Sequence, residues 1–214
     1  MKQYNGEKGI ISLTSWTKRI PKVHIPIMNI LKNCPDFHVV LVLAEEEFPN
    51  KEQDLTKELK ELIDLNLIEI LWVEKNLKSY KKIMFTMEKY KNVPVISADD
   101  DCIYECNYAE ILYNIWVKNK NHVVRFTSSD GNWRHAVAGC WTLYTYDLIG
   151  KHFLEEFKKL PSSYIEESLD DDFYCYVMHK YGITSISANM PCLLKFINQD
   201  TRTHQTPGIW HDYE

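Results

Sequence analysis

Glycine is scarce in this chain, and the glycine-rich sequences that cradle phosphate groups are absent. Only 7 of the 214 residues are Gly, and neither GxGxxG nor GxxxxGK[ST] occurs. Rossmann dehydrogenases and P-loop ATPases depend on such loops, because their backbone N–H groups must approach phosphate oxygens closely. If this chain binds a phosphate-bearing ligand, a metal ion and Lys or Arg side chains must therefore meet the phosphate charge.

Long apolar runs and paired cysteines are lacking as well. No apolar run approaches the length of about 18 residues that spans a membrane. The polar residues 1–9 contain no apolar core of a signal peptide. The six cysteines form no CxxC pair and no zinc-binding spacing, and several lie in apolar stretches, where buried free thiols are expected. We therefore expect a reducing, cytoplasmic compartment. Peripheral attachment to the inner face of the plasma membrane stays open.

Composition and charge indicate an ordinary globular protein. Hydrophobic residues make up 45% of the chain and charged residues 26%, and the length suits one domain over residues 1–214. The formal net charge is −5, which argues against nucleic acid as a partner.

Strand and helix patterns alternate along the first 126 residues. Short apolar, β-branched runs predict strands at 9–13, 37–44, 67–73, 93–98 and 122–126. Helical periodicity predicts helices at 23–33, 51–65, 80–90 and 109–118, and again at 147–159 and 172–181. Repeated strand–helix–strand units favour an α/β fold with a mostly parallel central sheet and helices on both faces.

Three consecutive carboxylates, Asp99, Asp100 and Asp101, follow the apolar run 93–98. Like charges at the end of a buried strand need a positive partner, and hard oxygen ligands suit Mg²⁺ or Mn²⁺. Such an ion usually carries substrate phosphates as well. The alternative is a solvated turn after the strand, where Asp is common.

The turn after the first predicted strand lies where it could meet these acids. In open α/β sheets, ligands bind outside the carboxyl ends of the strands. Residues 14–19 end the first strand as the acids end the fourth, so both segments could border one cleft. The candidate nucleotide-binding residues of this turn are Thr14, Ser15, Trp16 and Arg19.

Three segments together resemble the GT-A-fold glycosyltransferases, broadly the bacterial family 2 type that builds capsule and lipopolysaccharide. They are residues 10–20 (IISLTSWTKRI), 77–82 (LKSYKK) and 97–104 (SADDDCIY), the last similar to the family's DxD motif. The similarity covers residues 9–105 and returns more weakly at 139–144 and 169–174. Each motif alone is a weak indicator of this family, whereas the order and spacing of the three together are more specific.

The resemblance implies a nucleotide-diphosphate sugar donor, with UDP the commonest nucleotide, and a divalent ion, Mn²⁺ or Mg²⁺. It implies that Asp101 ligates the ion, that Asp99 lies nearer the ribose or sugar, and that Asp100 borders the donor. It also places Lys82, or Lys81 beside it, near the donor; the alternative is that both are exposed cations at the start of a helix. Residues 9–105 would bind the donor. Residues 106–214 would bind a glycan or lipid-linked glycan acceptor, with inversion at the anomeric carbon.

A second acidic run spans residues 170–172. One interpretation is a cluster of acids in the first turn of a helix, where the helix dipole favours them. The other, implied by the resemblance, is a general base that takes the proton of the attacking hydroxyl. That role falls on Asp172, or on Asp171 one residue earlier.

Two histidines near the end of the chain are candidate metal ligands by the same resemblance. His204 is preferred over His211, because Arg202 beside it could also meet a diphosphate. The alternative is a solvated histidine. Trp133, in a polar stretch, could be an exposed sugar platform, although tryptophans are more often core residues.

Two other functions stay open. A sugar-phosphate nucleotidylyltransferase would ordinarily carry a Gly-rich loop after the first strand, and this chain has none. A non-catalytic module that binds a glycan or a partner would show no metal-dependent nucleotide binding.

Overall fold

A computed structural model describes residues 2–126, 141–166, 170–188 and 194–197. Its main sheet has seven strands in the order β3-β2-β1-β4-β7-β6-β8. The strands are β1 (Ile10–Thr14), β2 (His38–Ala44), β3 (Glu69–Val73), β4 (Val95–Ser97), β6 (Val123–Phe126), β7 (Thr142–Tyr144) and β8 (Ser185–Ala188). β7 runs antiparallel to β4 and β6, and the other neighbouring pairs are parallel. β5 (Cys102–Tyr104) and β9 (Leu194–Phe196) form a separate antiparallel pair.

Seven α-helices accompany the strands in the described residues. They are α1 (His24–Asn33), α2 (Lys57–Asp64), α3 (Lys81–Lys89), α4 (Tyr108–Lys118), α5 (Lys151–Phe157), α6 (Ser162–Glu166) and α7 (Asp170–Lys180). None of the described helices is long and apolar enough to cross a bilayer.

The central strands are buried on both faces, which explains their continuous apolar sequences. All seven residues of β2 are buried. Val39, Leu41 and Leu43 pack in one core with residues of α1, α2 and α4. Val40 and Val42 pack in a second core with residues of α3, α5 and α7. The predicted α/β architecture with helices on both faces is confirmed.

The predicted helix at 51–65 is wrong in its first half. Residues Lys51–Asp54 form a 3₁₀ turn, and α2 begins only after Thr56. The Thr56 hydroxyl accepts the Leu59 N–H at 3.4 Å, so Thr56 caps α2 and separates it from the turn. The predicted helix at 147–159 likewise opens with a π-helical turn, Tyr146–Gly150, before α5.

One of the four described cysteines departs from the expectation of free thiols. Cys34, Cys102 and Cys175 are free. Cys106, however, is disulfide-bonded. It lies half-buried between β5 and α4, in a polar loop and outside the apolar stretches on which the expectation depended.

Candidate functional site

The acid run and the turn after β1 meet at one edge of the sheet. β1 and β4 are parallel neighbours, with Ser12 opposite Ser97, and the Ala98 N–H extends the pairing to the Ser12 carbonyl at 2.9 Å. The carboxyl ends of both strands therefore lie side by side, as expected from the sequence. The chain after β1 then turns back, with the Arg19 N–H bonded to the Trp16 carbonyl at 2.9 Å.

A cleft of about 370 Å³ opens at this edge. It collects the predicted donor residues from the turn after β1, from the start of α3 and from the acid run. The side chains around it belong to Thr14, Ser15, Trp16, Arg19, Glu47, Asn76, Lys78, Ser79, Lys81, Lys82, Ala98, Asp99, Asp100, Asp101 and Asp171.

Asp100, the middle acid, is held by the turn after β1. Its carboxylate accepts the Ser15 hydroxyl at 2.6 Å and lies 2.5 Å from a terminal nitrogen of Arg19. Burial raises the pKa of Asp100, while Arg19 and Ser15 act in the opposite direction. The pKa of Arg19 is raised because its pairing with Asp100 and Asp101 outweighs its own burial. Arg19 therefore remains a cation at the cleft.

Asp99 and Asp101 place their carboxylates beside each other. Together with the Cys102 sulfur, their ligand atoms lie within 4.8 Å of one another. Burial raises the pKa of the Cys102 thiol, which keeps it protonated, and sulfur is a poor ligand for Mg²⁺ or Mn²⁺. A hard divalent ion would therefore use the oxygens of Asp99 and Asp101.

Lys82 and Arg19 contact the acids of this cluster. Asp99 lies 2.9 Å from the Lys82 Nζ, and Asp101 lies 3.2 Å from Arg19. Asp170 lies 3.6 Å from the same Lys82 nitrogen. Four carboxyl groups, including Asp100, thus cluster around Arg19 and Lys82. Carboxylate oxygens are the ligands that hard divalent ions prefer, so the residues fit the ion that the sequence predicts.

The second acidic run begins α7 and enters the site through a residue that the sequence did not single out. Asp170 is buried, and it accepts the Ser79 hydroxyl at 2.6 Å in addition to its contact with Lys82. Asp171 borders the cleft. Asp172 is half-buried on α7 and is not among the cleft-lining residues of the described chain. No sequence pattern indicated that Ser79 and Lys82 lie close to this helix.

Lys81 and Glu47 add a buried charged pair to the cleft. The Lys81 Nζ donates to the Asn76 side chain and to the Lys78 carbonyl, each at 3.1 Å, and lies 3.9 Å from Glu47. Burial lowers the pKa of Lys81 to about 8, although Glu47 and Asp100 favour its charged form. Burial also raises the pKa of Glu47. The sequence pointed to Lys82, with Lys81 as its alternative, and missed Glu47.

The remaining sequence candidates lie outside the described residues. They are His204, His211, Arg202 and Trp133.

Comparisons with solved structures identify the fold of this chain. No family model and no curated protein matches the sequence. TarS of S. aureus, solved with UDP, superposes with a TM-score of 0.52 at 10% identity, over 84% of this chain and 58% of that chain. The mannosyltransferase PcManGT of Pyrobaculum calidifontis, solved with GDP-Man and Mn²⁺, gives 0.51 at 13% identity, over 88% and 56%.

A third similar structure belongs to another class of enzyme. A Bacillus anthracis protein described as a glucose-1-phosphate thymidylyltransferase gives a TM-score of 0.56 at 13% identity, over 88% of this chain and 89% of that one. Identities this low show the fold alone, which is the GT-A-like fold of glycosyltransferases and nucleotidyltransferases. The chain spans less than two thirds of the matched chains of TarS and PcManGT.

Proposed function

We propose that this chain is a metal-dependent glycosyltransferase. It would move a sugar from a nucleotide-diphosphate donor to a hydroxyl group of a glycan or lipid-linked glycan. The observation that carries the proposal is the pair of carboxylates, Asp99 and Asp101, at the carboxyl end of β4, beside the turn that follows β1. The cluster of carboxylates around Arg19 and Lys82 and the GT-A-like fold support it.

Each side chain of the donor site has a role in this proposal. Asp99 and Asp101 would hold Mn²⁺ or Mg²⁺, which when bound neutralises the departing diphosphate. Arg19 and Lys82 supply fixed positive charge next to the phosphates. Thr14, Ser15 and Trp16 border the nucleotide, and Asp100 orients Arg19 through their ion pair.

The acceptor hydroxyl needs a base, because it is a poor nucleophile until its proton is removed. Its oxygen would bond to the anomeric carbon while the bond from that carbon to the diphosphate oxygen breaks. The bonding electrons leave with the diphosphate, and the proton passes to a carboxylate. Asp171 borders the cleft and suits this role by position, and Asp172 remains the alternative. Attack from the side opposite the leaving group inverts the anomeric carbon.

We propose a nucleoside-diphosphate sugar as the donor and a cell-surface glycan as the product. Bound UDP in TarS and bound GDP-Man with Mn²⁺ in PcManGT support the class of nucleoside-diphosphate sugars. Within this class, UDP is our first choice. A capsule or lipopolysaccharide glycan is the proposed product, made on the cytoplasmic side of the membrane.

Peripheral attachment to an anionic membrane belongs to the same proposal. Lys22, Ile25, Met28 and Lys32 are exposed at intervals of three or four residues along one face of α1 and its approach. Residues 8–35 contain no Asp or Glu, although the whole chain is acidic. Lysines that flank exposed apolar side chains suit a surface of anionic headgroups.

A nucleotidylyltransferase is the second candidate, because the similarity to the B. anthracis protein covers 89% of that chain. Such an enzyme would join a nucleoside triphosphate to a sugar phosphate and release pyrophosphate. The turn at 14–19 contains no Gly, which weakens this candidate, since the triphosphate would have no cradle of backbone N–H groups.

A thermal-shift screen of nucleotide sugars, with and without Mn²⁺, tests the proposal, followed by calorimetry with UDP and Mn²⁺. We expect stabilisation by a nucleoside-diphosphate sugar that requires the metal. Stabilisation only by a nucleoside triphosphate with a sugar phosphate would favour the second candidate. The absence of any metal-dependent nucleotide binding would indicate a non-catalytic module.

A further inference from the structure

The Tyr104 hydroxyl is hydrogen-bonded to the backbone at the start of the acid run, residues 99–101. Tyr104 is fully buried at the end of β5, three residues after Asp101. Its oxygen accepts the backbone N–H of Asp99 at 3.0 Å and the indole N–H of Trp141 at 3.1 Å. We call residues 99–101, between β4 and β5, the acid turn. One phenol oxygen therefore fixes the start of this turn and joins it to the residue before β7.

Tyr104 is itself held firmly by α1. Its backbone N–H donates to the Asn29 side chain at 2.7 Å, and its carbonyl accepts the Asn33 side chain at 2.6 Å. Asn29 and Asn33 are four residues apart, so both lie on the same face of the helix. The Tyr104 ring stacks on Tyr108 with a centroid distance of 4.3 Å. Backbone and ring are thus both fixed, which gives the hydroxyl a defined position.

The other end of the acid turn is hydrogen-bonded to the residue that follows β9. The Asp101 carbonyl accepts the Ile197 N–H at 2.7 Å. The turn between β4 and β5 is thus held at Asp99 by Tyr104 and at Asp101 by the β5–β9 pair. With both ends fixed, the carboxylates of Asp99 and Asp101 lie close to each other at the cleft.

We propose that Tyr104 is a positioning residue for the divalent-ion site, and that its hydroxyl sets the separation of the Asp99 and Asp101 carboxylates. The inference rests on the proposed function, since it concerns the ion that those acids would hold. Removal of the hydroxyl leaves the Asp99 N–H and the Trp141 indole N–H without their acceptor, so the turn must shift to find new partners. Loss of groups that orient metal ligands typically weakens metal affinity about 10- to 100-fold.

The test compares Tyr104→Phe with Tyr90→Phe. Tyr90 is half-buried and its hydroxyl donates to Glu69 at 2.6 Å, at the opposite end of the sheet, so this control removes a hydrogen-bonded tyrosine hydroxyl away from the acid turn. Two quantities are measured. One is hydrogen exchange of the Asp99 amide in metal-free protein, and the other is the calorimetric affinity for Mn²⁺ with UDP.

For Tyr104→Phe we expect at least about tenfold faster exchange at Asp99 and about 10- to 100-fold weaker binding of Mn²⁺ with UDP. Tyr90→Phe should match the wild type in both. If the wild type binds Mn²⁺ with UDP and Tyr104→Phe binds equally well, the positioning role is overturned and the proposed function stands. If the wild type itself does not bind them, both are overturned.

A milder variant keeps the inference testable if Tyr104→Phe does not fold. Asn33→Ala removes one of the two bonds from α1 to the Tyr104 backbone and leaves the aromatic core intact. It should speed exchange at Asp99 and weaken Mn²⁺ binding in the same direction, by a smaller factor. Unchanged exchange and affinity in a folded Asn33→Ala protein would overturn the positioning role.

Discussion

Arg19 and Asp100 form a nearly buried ion pair at the cleft, with 2.5 Å between a guanidinium nitrogen and a carboxylate oxygen. Their side chains are only 11% and 7% exposed. The three consecutive acids therefore differ in their surroundings. Asp100 is held by Arg19 and Ser15, whereas Asp99 and Asp101, which also contact Lys82 and Arg19, lie together as a potential metal ligand set.

Asp101→Asn and Asp100→Asn should consequently have different effects. Asp101→Asn is expected to abolish metal-dependent binding of nucleoside diphosphate and to destabilise the fold less than Asp100→Asn, because Asp101 lies 3.2 Å from Arg19 and Asp100 lies 2.5 Å from it. Asp100→Asn is expected to lower the free energy of unfolding by about 3 kcal/mol, because it leaves Arg19 poorly compensated in a buried site. Calorimetry with UDP and Mn²⁺, with and without EDTA, and urea unfolding measure the two effects. Equal metal-dependent binding by wild type and Asp101→Asn would place the ion elsewhere.

Asp171→Asn and Asp172→Asn identify the general base. At the correct position, Asn keeps the shape and removes the base, so transfer should fall about 10²- to 10⁴-fold. Donor affinity should stay near that of the wild type, because a base acts on the acceptor. Sugar transfer and nucleotide affinity are measured for both variants. Near-normal transfer in both would favour the simple role of acids at the start of α7, and loss of affinity would assign the cluster to the donor site.

Lys81 predicts a pH dependence of donor binding. Burial lowers its pKa to about 8, so its charge, which attracts phosphates, is present below that pH and lost as the pH rises through it. UDP affinity in the presence of Mg²⁺ should therefore decline between pH 7 and 9. Lys81→Arg keeps the charge over this range and should flatten the profile. A profile that declines equally in wild type and Lys81→Arg would exclude Lys81 as its cause.

Glu69 predicts an acid-sensitive contribution to stability at the opposite end of the sheet. Burial alone would raise its pKa, but hydrogen bonds from His38, Lys89 and Tyr90 outweigh burial and lower it to about 2. Its stabilisation is complete above the unfolded value of 4.5 and is lost as the pH falls from there through about 2. Glu69→Gln should cost about 3 kcal/mol at pH 7 and much less near pH 2. A constant difference in unfolding free energy across this range would contradict the prediction.

The exposed face of α1 predicts binding to anionic vesicles. Each lysine near an anionic surface contributes about 1 kcal/mol, so Lys22→Glu with Lys32→Glu should weaken binding at least about tenfold. Ile25→Ser with Met28→Ser should also weaken it. Lys57→Glu with Leu65→Ser changes exposed residues of and next to α2 and serves as the control. Sedimentation with phosphatidylglycerol vesicles measures the effect, and equal binding by all variants would exclude this face.

The sequence predicted the parts of the fold that rest on long apolar patterns. β1, β2, β3 and β4 lie within two residues of their predicted bounds, because buried parallel strands are continuously apolar. β4, β5, β7 and β9 have three residues each, but only β4 lies in a longer apolar run, residues 93–98, that made it recognisable. The meeting of the acids with the turn after β1 followed from the order of strands and helices alone.

The contacts within the site could not be predicted in the same way. Arg19 and Asp100 are 81 residues apart, and Ser79 and Asp170 are 91 apart. Such pairs depend on strand register and on how α7 packs, which a sequence pattern does not encode. Asp170 was missed because the predicted helix began at residue 172, whereas α7 begins at Asp170 and includes it in the site.

Lys82 links two segments with different proposed tasks, since its ammonium contacts both Asp99 after β4 and Asp170 at the start of α7. Under the proposed function, an ion bound by Asp99 would compete with Lys82 for that carboxylate and shift Lys82 towards Asp170. Occupancy of the donor side would thereby reach the helix that carries the candidate base. Such coupling would favour binding of the donor and its ion before the acceptor.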